Sequence, residues 1–467
     1  MRAELRPYAD ILNLAAPIIG IQFSQVALTS TDLFMMGFLG LHHVAAGGLA
    51  LLLYNQLRTM CVGMITGVGN LTAGTIGRGE KQSGSTELAT ETKEEVQNLL
   101  RSSMLLATLT SIAAAFLLIG LSMVLGFLGQ TDDITALAQP IMLTLAPGLI
   151  PMLWLNVLRQ FAVGMRRAGS LMMVTLISVA INALLNFIFI FGLLGMPKLG
   201  LAGIGLSTTI VQFASFLIYL RIVQTDQELR PLLALNPCRA KRETLLKIAK
   251  MGLPISLTYG SEAAITSIAT VLIGTFGPLA LAASNIVNQL AYIVYQFNIG
   301  LSQGSSILVS RTFAKSDMDE VGAIARRSFI LSFSAMALIA LIYIFMPQIV
   351  LQPFLKAGQD PAVYRYAAIL LWFAIAHQFL KGSQNICIGL LRGIGNTRAG
   401  LSNTIIGYWL VGIPAMFLSS KLTHAEAYGI WGGLCLGFAV TNLLLWRQFS
   451  RQLHALNLSP KTVSSFI

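Results

Sequence analysis

Five ionisable side chains lie within stretches of the chain that are otherwise apolar: Asp32, Arg58, Arg159, Glu262 and Lys381. At the centre of a membrane helix each would cost roughly 3 kcal/mol or more, so each needs a partner or a water-filled cavity. A carboxylate in such a place can bind a proton or a small hard cation, and a basic group can hold an anion. These residue types indicate ion or solute binding inside a membrane. Arg159 is near the cytoplasmic end of its stretch, and we expect it to extend to the membrane surface.

The elements that carry these residues are predicted to be membrane helices. The chain is 55% hydrophobic and 11% charged, which excludes a mainly soluble protein. Because about 20 apolar residues cross a bilayer, the sequence predicts an all-α polytopic membrane protein. The twelve predicted spans are 11–36, 44–72, 98–128, 134–162, 170–193, 200–223, 250–274, 280–309, 328–352, 362–390, 400–420 and 427–446.

The basic residues give the predicted orientation in the membrane. Most of the 31 Lys and Arg residues fall on one side of the twelve spans. The other side holds only Lys198, Lys356, Arg365 and Lys421. The positive-inside rule then places both termini in the cytoplasm. The net charge of +12 therefore reports topology, and we expect no nucleic-acid partner because no nucleic-acid motif accompanies it.

The two halves of the chain repeat each other. When the sequence is shifted by 237 positions, Pro17 falls on Pro254 and Gly63 falls on Gly300. The predicted parts are an N-terminal six-helix lobe 1–223, a cytoplasmic linker 224–249, a C-terminal six-helix lobe 250–448 and a cytoplasmic tail 449–467. Doubled bundles of this kind hold solutes between their halves and move them by rocking one half against the other.

Motifs for enzymatic chemistry are absent from the sequence. The chain has no P-loop pattern and no soluble stretch long enough for a nucleotide-binding domain. It also lacks a serine–histidine, paired-aspartate or zinc-protease constellation at a suitable depth. We therefore predict that the protein is not an enzyme, has no ATPase partner and takes its energy from an ion gradient.

Five segments together carry a resemblance to a known family, and they are 14–40, 158–165, 182–186, 199–208 and 391–393. In them the chain resembles the bacterial branch of the multidrug and toxic compound extrusion (MATE) family. The resemblance implies two pseudo-symmetric six-helix bundles that form a V-shaped molecule with a central cavity. It also implies an efflux transporter of the bacterial inner membrane that exchanges Na⁺ or H⁺ for organic cations by rocker-switch alternating access, with no further cofactor.

The first helix of the family carries an ion-coupling carboxylate, and the matching position in this sequence is Asp32. The family pattern gives this carboxylate three neighbours. They are Asn182 and Asn186, which share one helix face at i and i+4, and Thr208. Oxygen atoms of these kinds suit Na⁺ bound at Asp32 or a proton held in a hydrogen-bond network. The alternative is an ordinary polar cluster that fastens helices together.

A second carboxylate, Glu262, stands where a large branch of the family has one, whereas Lys381 replaces a residue that is acidic in those relatives. Helix rise puts Glu262 about 18 Å from Lys250 and Lys381 about 15 Å from Leu391, so the two side chains lie at similar depth. We therefore predict a Glu262–Lys381 salt bridge in the second lobe. Such a pair would cancel the attraction of this site for cations.

Other functions and roles stay open at this stage. Arg58 and Lys381, if both face the cavity, could hold the carboxylate or phosphate of an anionic or zwitterionic metabolite. Tyr259 and Tyr292 are candidates for the wall of the second-lobe polar network, with core packing as the alternative. A flippase for lipid-linked precursors is a further possibility. We expect a monomer whose partners are membrane lipids and a small-molecule substrate.

Overall fold

The computed structural model describes residues 2–84, 88–128, 131–354, 361–422 and 425–458. Within these ranges the chain is helical, with no β-strand. Lys356 and residues 459–467 of the predicted cytoplasmic tail lie outside the described residues.

Fifteen α-helices form in the described part of the chain. They are α1 (Arg2–Gly37), α2 (Leu41–Ser83), α3 (Thr90–Met123), α4 (Asp132–Leu145), α5 (Leu149–Gly164), α6 (Gly169–Phe191), α7 (Leu201–Thr225), α8 (Arg242–Gly274), α9 (Pro278–Ala314), α10 (Met318–Phe345), α11 (Pro347–Leu351), α12 (Pro361–Gly393), α13 (Thr397–Thr404), α14 (Ile413–Leu422) and α15 (Glu426–Leu458). A 3₁₀ turn joins α4 to α5, and a π-helical stretch, Ile405–Gly412, joins α13 to α14. Each of these two composite helices corresponds to one predicted span.

Ten helical stretches among the described residues are long and apolar enough to cross a membrane. The other two predicted spans, 250–274 and 280–309, fall on α8 and α9. Both helices have the necessary length, and they carry polar side chains such as Glu262 and Gln296. The predicted all-α polytopic membrane fold is confirmed.

The internal repeat is visible in the backbone. The turn from α1 into α2 and the turn from α8 into α9 each contain a glycine just before the second helix begins. Gly40 has φ 108° and ψ 172°, and Gly277, 237 positions later, has φ 104° and ψ 170°. Side chains other than hydrogen rarely tolerate such positive φ values. The same turn, with the same requirement for glycine, therefore occurs in both halves.

Packing contacts divide the chain into two compact units. One, here called the first unit, comprises residues 20–256, and the second unit comprises residues 1–19 and 257–467. The divisions fall inside α1 and α8. The boundaries of the lobes predicted from the sequence stay a prediction.

Glycines bring helices close together within each unit. In the first unit, a Cβ atom on Gly63 of α2 would lie 2.6 Å from the Cα atom of Ser256 in α8. In the second unit, a Cβ atom on Gly300 of α9 would lie 2.8 Å from the Cα atom of Ile19 in α1. Small residues of this kind let membrane helices approach backbone to backbone. Two glycines that the repeat places at equivalent positions thus both allow close packing of helices.

The predicted linker 224–249 is folded as part of the first unit. Leu229 and Leu232 are buried in its hydrophobic core. The side-chain amide of Gln97 in α3 donates a hydrogen bond of 2.9 Å to the carbonyl oxygen of Pro231. Buried apolar side chains and a hydrogen bond to α3 therefore fix the position of the linker between its two ends.

Candidate functional site

Three helices of the first unit bring together the predicted ion-coupling residues. Asp32 lies on α1, Asn182 and Asn186 lie on α6, and Thr208 lies on α7. The Asn186 amide donates 2.7 Å to Oδ1 of Asp32, and the Thr208 hydroxyl donates 3.3 Å to Oδ2. The predicted cluster around the Asp32 carboxylate is thus present in the fold.

The two asparagines of α6 are coupled to each other and to α7. They are four residues apart and so share a helix face, and Asn186 Nδ2 lies 3.1 Å from Asn182 Oδ1. The Asn182 amide in turn donates 3.3 Å to the Thr208 hydroxyl. Asp32 is 2% exposed and both asparagines are fully buried, so this carboxylate is held by neutral donors in place of water.

One oxygen in the cluster has no hydrogen-bond partner among the described residues. It is Oδ1 of Asn186, a buried amide oxygen. A carboxylate together with amide and hydroxyl oxygens is a donor set that fits a small hard cation. The same atoms fit a proton, because a protonated carboxyl group can both donate and accept hydrogen bonds.

A cavity of the first unit reaches the Asp32 cluster. Both Asp32 and Thr208 lie on its wall. Apolar side chains, among them Ile21 and Met152, form much of the remaining wall. Pockets for small organic molecules typically combine such apolar walls with a few polar groups.

Arg159 also lines this cavity, contrary to the sequence prediction that it extends to the membrane surface. Arg159 is only 5% exposed. The reason is the packing of the last turns of α5, in which every residue from Asn156 to Gly164 is buried. Arg159 lies near the C-terminal end of α5, and the sequence could not determine which face of this helix turns inward.

Arg58 of α2 lies on the same cavity wall and contacts two neutral amides. Its Nη1 atom donates 3.4 Å to Oε1 of Gln25 in α1, and its Nε atom donates 3.2 Å to Oδ1 of Asn55. The joint anion site of Arg58 and Lys381 considered from the sequence stays a prediction.

The predicted salt bridge of the second unit is confirmed. Nζ of Lys381 in α12 lies 3.0 Å from Oε1 of Glu262 in α8, and the two side chains are 9% and 7% exposed. The hydroxyl of Tyr295 in α9 donates 2.7 Å to Oε2 of Glu262. A buried pair needs such additional hydrogen bonds to offset the loss of water.

Two residues that the sequence did not indicate complete this network. The Tyr408 hydroxyl accepts hydrogen bonds of 2.6 Å from both Lys381 and Gln384, and the Gln384 amide also lies 3.3 Å from Oε1 of Glu262. Tyr408 belongs to the π-helical stretch between α13 and α14. Such stretches are frequent at functional sites, but they leave no periodic signal in a sequence.

Aromatic rings surround the ammonium group of Lys381. Its Nζ lies 5.5, 5.1 and 4.8 Å from the ring centroids of Tyr295, Tyr408 and Phe438. Ring faces attract cations at these distances. The Lys381 ammonium is therefore a cation of the chain itself that these rings and Glu262 bind inside the second unit.

The two tyrosines predicted for the wall of this network lie beside it. The Tyr259 hydroxyl accepts a hydrogen bond of 3.5 Å from Arg392, and the ring of Tyr292 stacks on Tyr295 with centroids 6.4 Å apart. Tyr292 is 46% exposed. Tyr295 is therefore the aromatic residue that joins this wall to Glu262.

A polytopic helical protein with polar groups inside its spans and a cavity at a buried carboxylate has the features of a membrane transporter. The MatE family model matches residues 17–188 and 254–418 of the chain. The chain therefore belongs to the MatE family, the multidrug and toxic compound extrusion transporters, as the sequence resemblance indicated.

Relatives from bacteria match over nearly the whole chain. The Probable multidrug resistance protein NorM of Pseudomonas aeruginosa is 32% identical over 460 residues, covering 97% of this chain and 91% of that protein. A protein of the same name from Brucella suis is 28% identical over 445 residues, with coverage of 95% and 92%. The solved structure of a MOP superfamily transporter from Pyrococcus furiosus has a TM-score of 0.85 at 18% identity and covers 97% of each chain, which shows a shared fold.

Proposed function

We propose that the protein is a secondary active efflux transporter that exchanges Na⁺ or H⁺ for a small amphipathic organic solute with a cationic group. The observation that carries this proposal is the Asp32 carboxylate, buried among neutral donors on the wall of an open cavity. The names of the bacterial relatives support export of drug-like compounds. We place the protein in the bacterial inner membrane as a monomer with both termini in the cytoplasm.

The proposed coupling follows from competition for one carboxylate. The ionised form of Asp32 accepts hydrogen bonds from Asn186 and Thr208 and attracts the cationic group of a solute in the cavity. A proton or Na⁺ that neutralises this charge removes the attraction and releases the solute. The two events therefore exclude each other at the same oxygen atoms.

The neutralised carboxylate also changes how α1 meets its neighbours. Loss of the negative charge weakens the charge-assisted hydrogen bonds from Asn186 on α6 and Thr208 on α7. Pro17 lies inside α1 and removes one backbone hydrogen bond, so this helix can repack or bend more easily than an uninterrupted one. We infer that this repacking drives rocker-switch alternating access.

Efflux from proteoliposomes tests this proposal. With ethidium inside and Na⁺ or H⁺ gradients imposed separately, the wild-type protein should drive efflux with at least one of the two ions. Asp32→Asn should abolish gradient-driven efflux, since the amide cannot be charged and discharged. Asp10→Asn is the matched control, because Asp10 is an exposed carboxylate on the same helix. Gradient-driven efflux by the Asp32→Asn protein would refute the proposed role.

A further inference from the structure

The repeat relates a polar contact in the first unit to one in the second unit. The shift of 237 positions places Gln25 on Glu262 and Arg58 on Tyr295. Both pairs are hydrogen-bonded: Arg58 donates 3.4 Å to Gln25 Oε1, and Tyr295 donates 2.7 Å to Glu262 Oε2. Equivalent positions on the repeated helices thus make equivalent contacts.

The charges at these equivalent positions differ. In the second unit the carboxylate of Glu262 and the ammonium of Lys381 neutralise each other. In the first unit the residue matching Glu262 is the neutral Gln25, while Arg58 brings a positive charge. Among the ion pairs formed by the described residues, none includes Arg58. The first unit therefore has a cation at the position of the neutral Tyr295, and this cation is hydrogen-bonded to an amide at the position where the second unit has a carboxylate.

The position of Arg58 makes it available to a solute. It is half-buried on the wall of the cavity that also contains Asp32. Tyr54, another residue of this wall, is within range of the charges of both Arg58 and Asp32. A guanidinium group has five donor N–H bonds, so the contacts to Gln25 and Asn55 leave donors for a ligand.

Helix geometry sets the separation of the two charges. Gln25, which holds Arg58, and Asp32 are seven residues apart on α1 and so lie on one helix face. A rise of 1.5 Å per residue separates them by roughly 10 Å along the helix. The cavity wall therefore presents a positive and a negative group about two helical turns apart.

We propose that the solute is an elongated zwitterion whose carboxylate binds Arg58 while its cationic group binds Asp32. This inference rests on the proposed transport function and adds the chemical class of the solute. The solute carboxylate supplies the charge that Glu262 provides in the second unit. Arg58 is then a specificity-determining residue, because a guanidinium binds carboxylates in a bidentate manner.

Two dyes that differ by a single ester test this assignment. Rhodamine 110 carries a free carboxylate beside its cationic ring system, and rhodamine 123 is its methyl ester. Their dissociation constants for the full chain in lipid nanodiscs, measured by fluorescence polarisation at pH 8 without any ion gradient, give a preference ratio. Arg58→Gln should reduce the preference for rhodamine 110 about ten- to hundred-fold, the usual effect of losing a charged hydrogen bond.

A second variant tests the repeat argument without removing Arg58. Gln25→Glu gives Arg58 a carboxylate from the chain itself, as Glu262 does for Lys381, and should reduce the same preference by competing with the solute. Arg101→Gln is the comparison variant, because Arg101 of α3 contacts Asn98 at 3.3 Å and is not among the residues that line the cavity. It should leave the ratio close to the wild-type value.

The proposal requires a reduced preference in both Arg58→Gln and Gln25→Glu. An unchanged ratio in either variant would overturn it, and so would an equal reduction in Arg101→Gln, which would show that the loss of any positive charge lowers the preference. A different result would refute the proposed antiport, namely gradient-driven ethidium efflux by the Asp32→Asn protein. The two failures are therefore distinguishable.

Discussion

At the scale of single residues, the two intramembrane carboxylates are compensated in different ways. Asp32 accepts hydrogen bonds from an amide and a hydroxyl, which leaves its negative charge uncancelled. Glu262 lies 3.0 Å from the Lys381 ammonium, which cancels its charge. A site that must bind and release a cation needs the first arrangement, because a permanent partner competes with every ligand. This contrast is why we assign coupling to Asp32.

The Glu262–Lys381 pair gives a prediction about stability. Lys381→Met or Glu262→Gln alone should destabilise the protein by about 3–5 kcal/mol, because each leaves an uncompensated buried charge. The double variant should recover much of this loss. Thermal unfolding in detergent, followed by tryptophan fluorescence, measures the coupling in a double-mutant cycle. Strictly additive shifts of the midpoint would contradict a direct interaction between the two charges.

Residue depth was predictable from the sequence, but residue orientation was only partly so. Counting helix rise from the span ends placed Glu262 and Lys381 at one level, and the structure pairs them. The inward face of α5 depends on the helices that pack against it, so the sequence did not predict the burial of Arg159. The sequence also did not predict the contact of Tyr408 with Lys381, because the π-helical stretch Ile405–Gly412 changes which side chains point inward without altering the apolar pattern.

At the scale of helices, close contacts through glycine hold the repeated elements. A Cβ atom on Gly63 would meet the backbone of Ser256, whereas one on Gly74 of the same helix would meet nothing within 4 Å. These two glycines therefore form a matched pair for substitution. The comparison separates the loss of a helix contact from the change in helix propensity that any Gly→Ala substitution brings.

Gly63→Ala should lower the thermal midpoint in detergent and the yield of folded protein, because α2 must move away from α8. Gly74→Ala should leave both unchanged or slightly raised, since alanine favours helix more than glycine does. Gly300→Ala should repeat the effect of Gly63→Ala, as its Cβ atom would meet the backbone of Ile19. Equal midpoints for Gly63→Ala and Gly74→Ala would contradict this role.

At the scale of the whole molecule, the sequence repeat predicted the repeated arrangement of helices. Apolar length and the matched prolines and glycines predicted the helices and the repeat, which the turns at Gly40 and Gly277 reproduce. The composition of the two compact units was not predictable in the same way. The grouping of residues 1–19 with 257–467 arises from packing between distant helices, and hydropathy carries no information about such partners.

The repeat also shows how two similar units can differ in chemistry. The backbone pattern and the hydrogen-bonded positions 25/58 and 262/295 are shared, whereas the charges are not. The second unit contains its own cation at Lys381, and the first unit presents Asp32 to a cavity. We therefore expect one coupling site for each chain, located in the first unit.

The central claim is that the coupling ion and the solute compete for Asp32, and equilibrium binding tests it most directly. The measurement is the affinity of purified protein in nanodiscs for radiolabelled tetraphenylphosphonium, across a pH series and, separately, a Na⁺ series. The wild-type protein should bind more weakly as the concentration of its coupling ion rises, and Asp32→Asn should show a weak affinity that depends on neither ion. A wild-type affinity that is constant in both series, or an Asp32→Asn protein with the wild-type dependence, would contradict the claim.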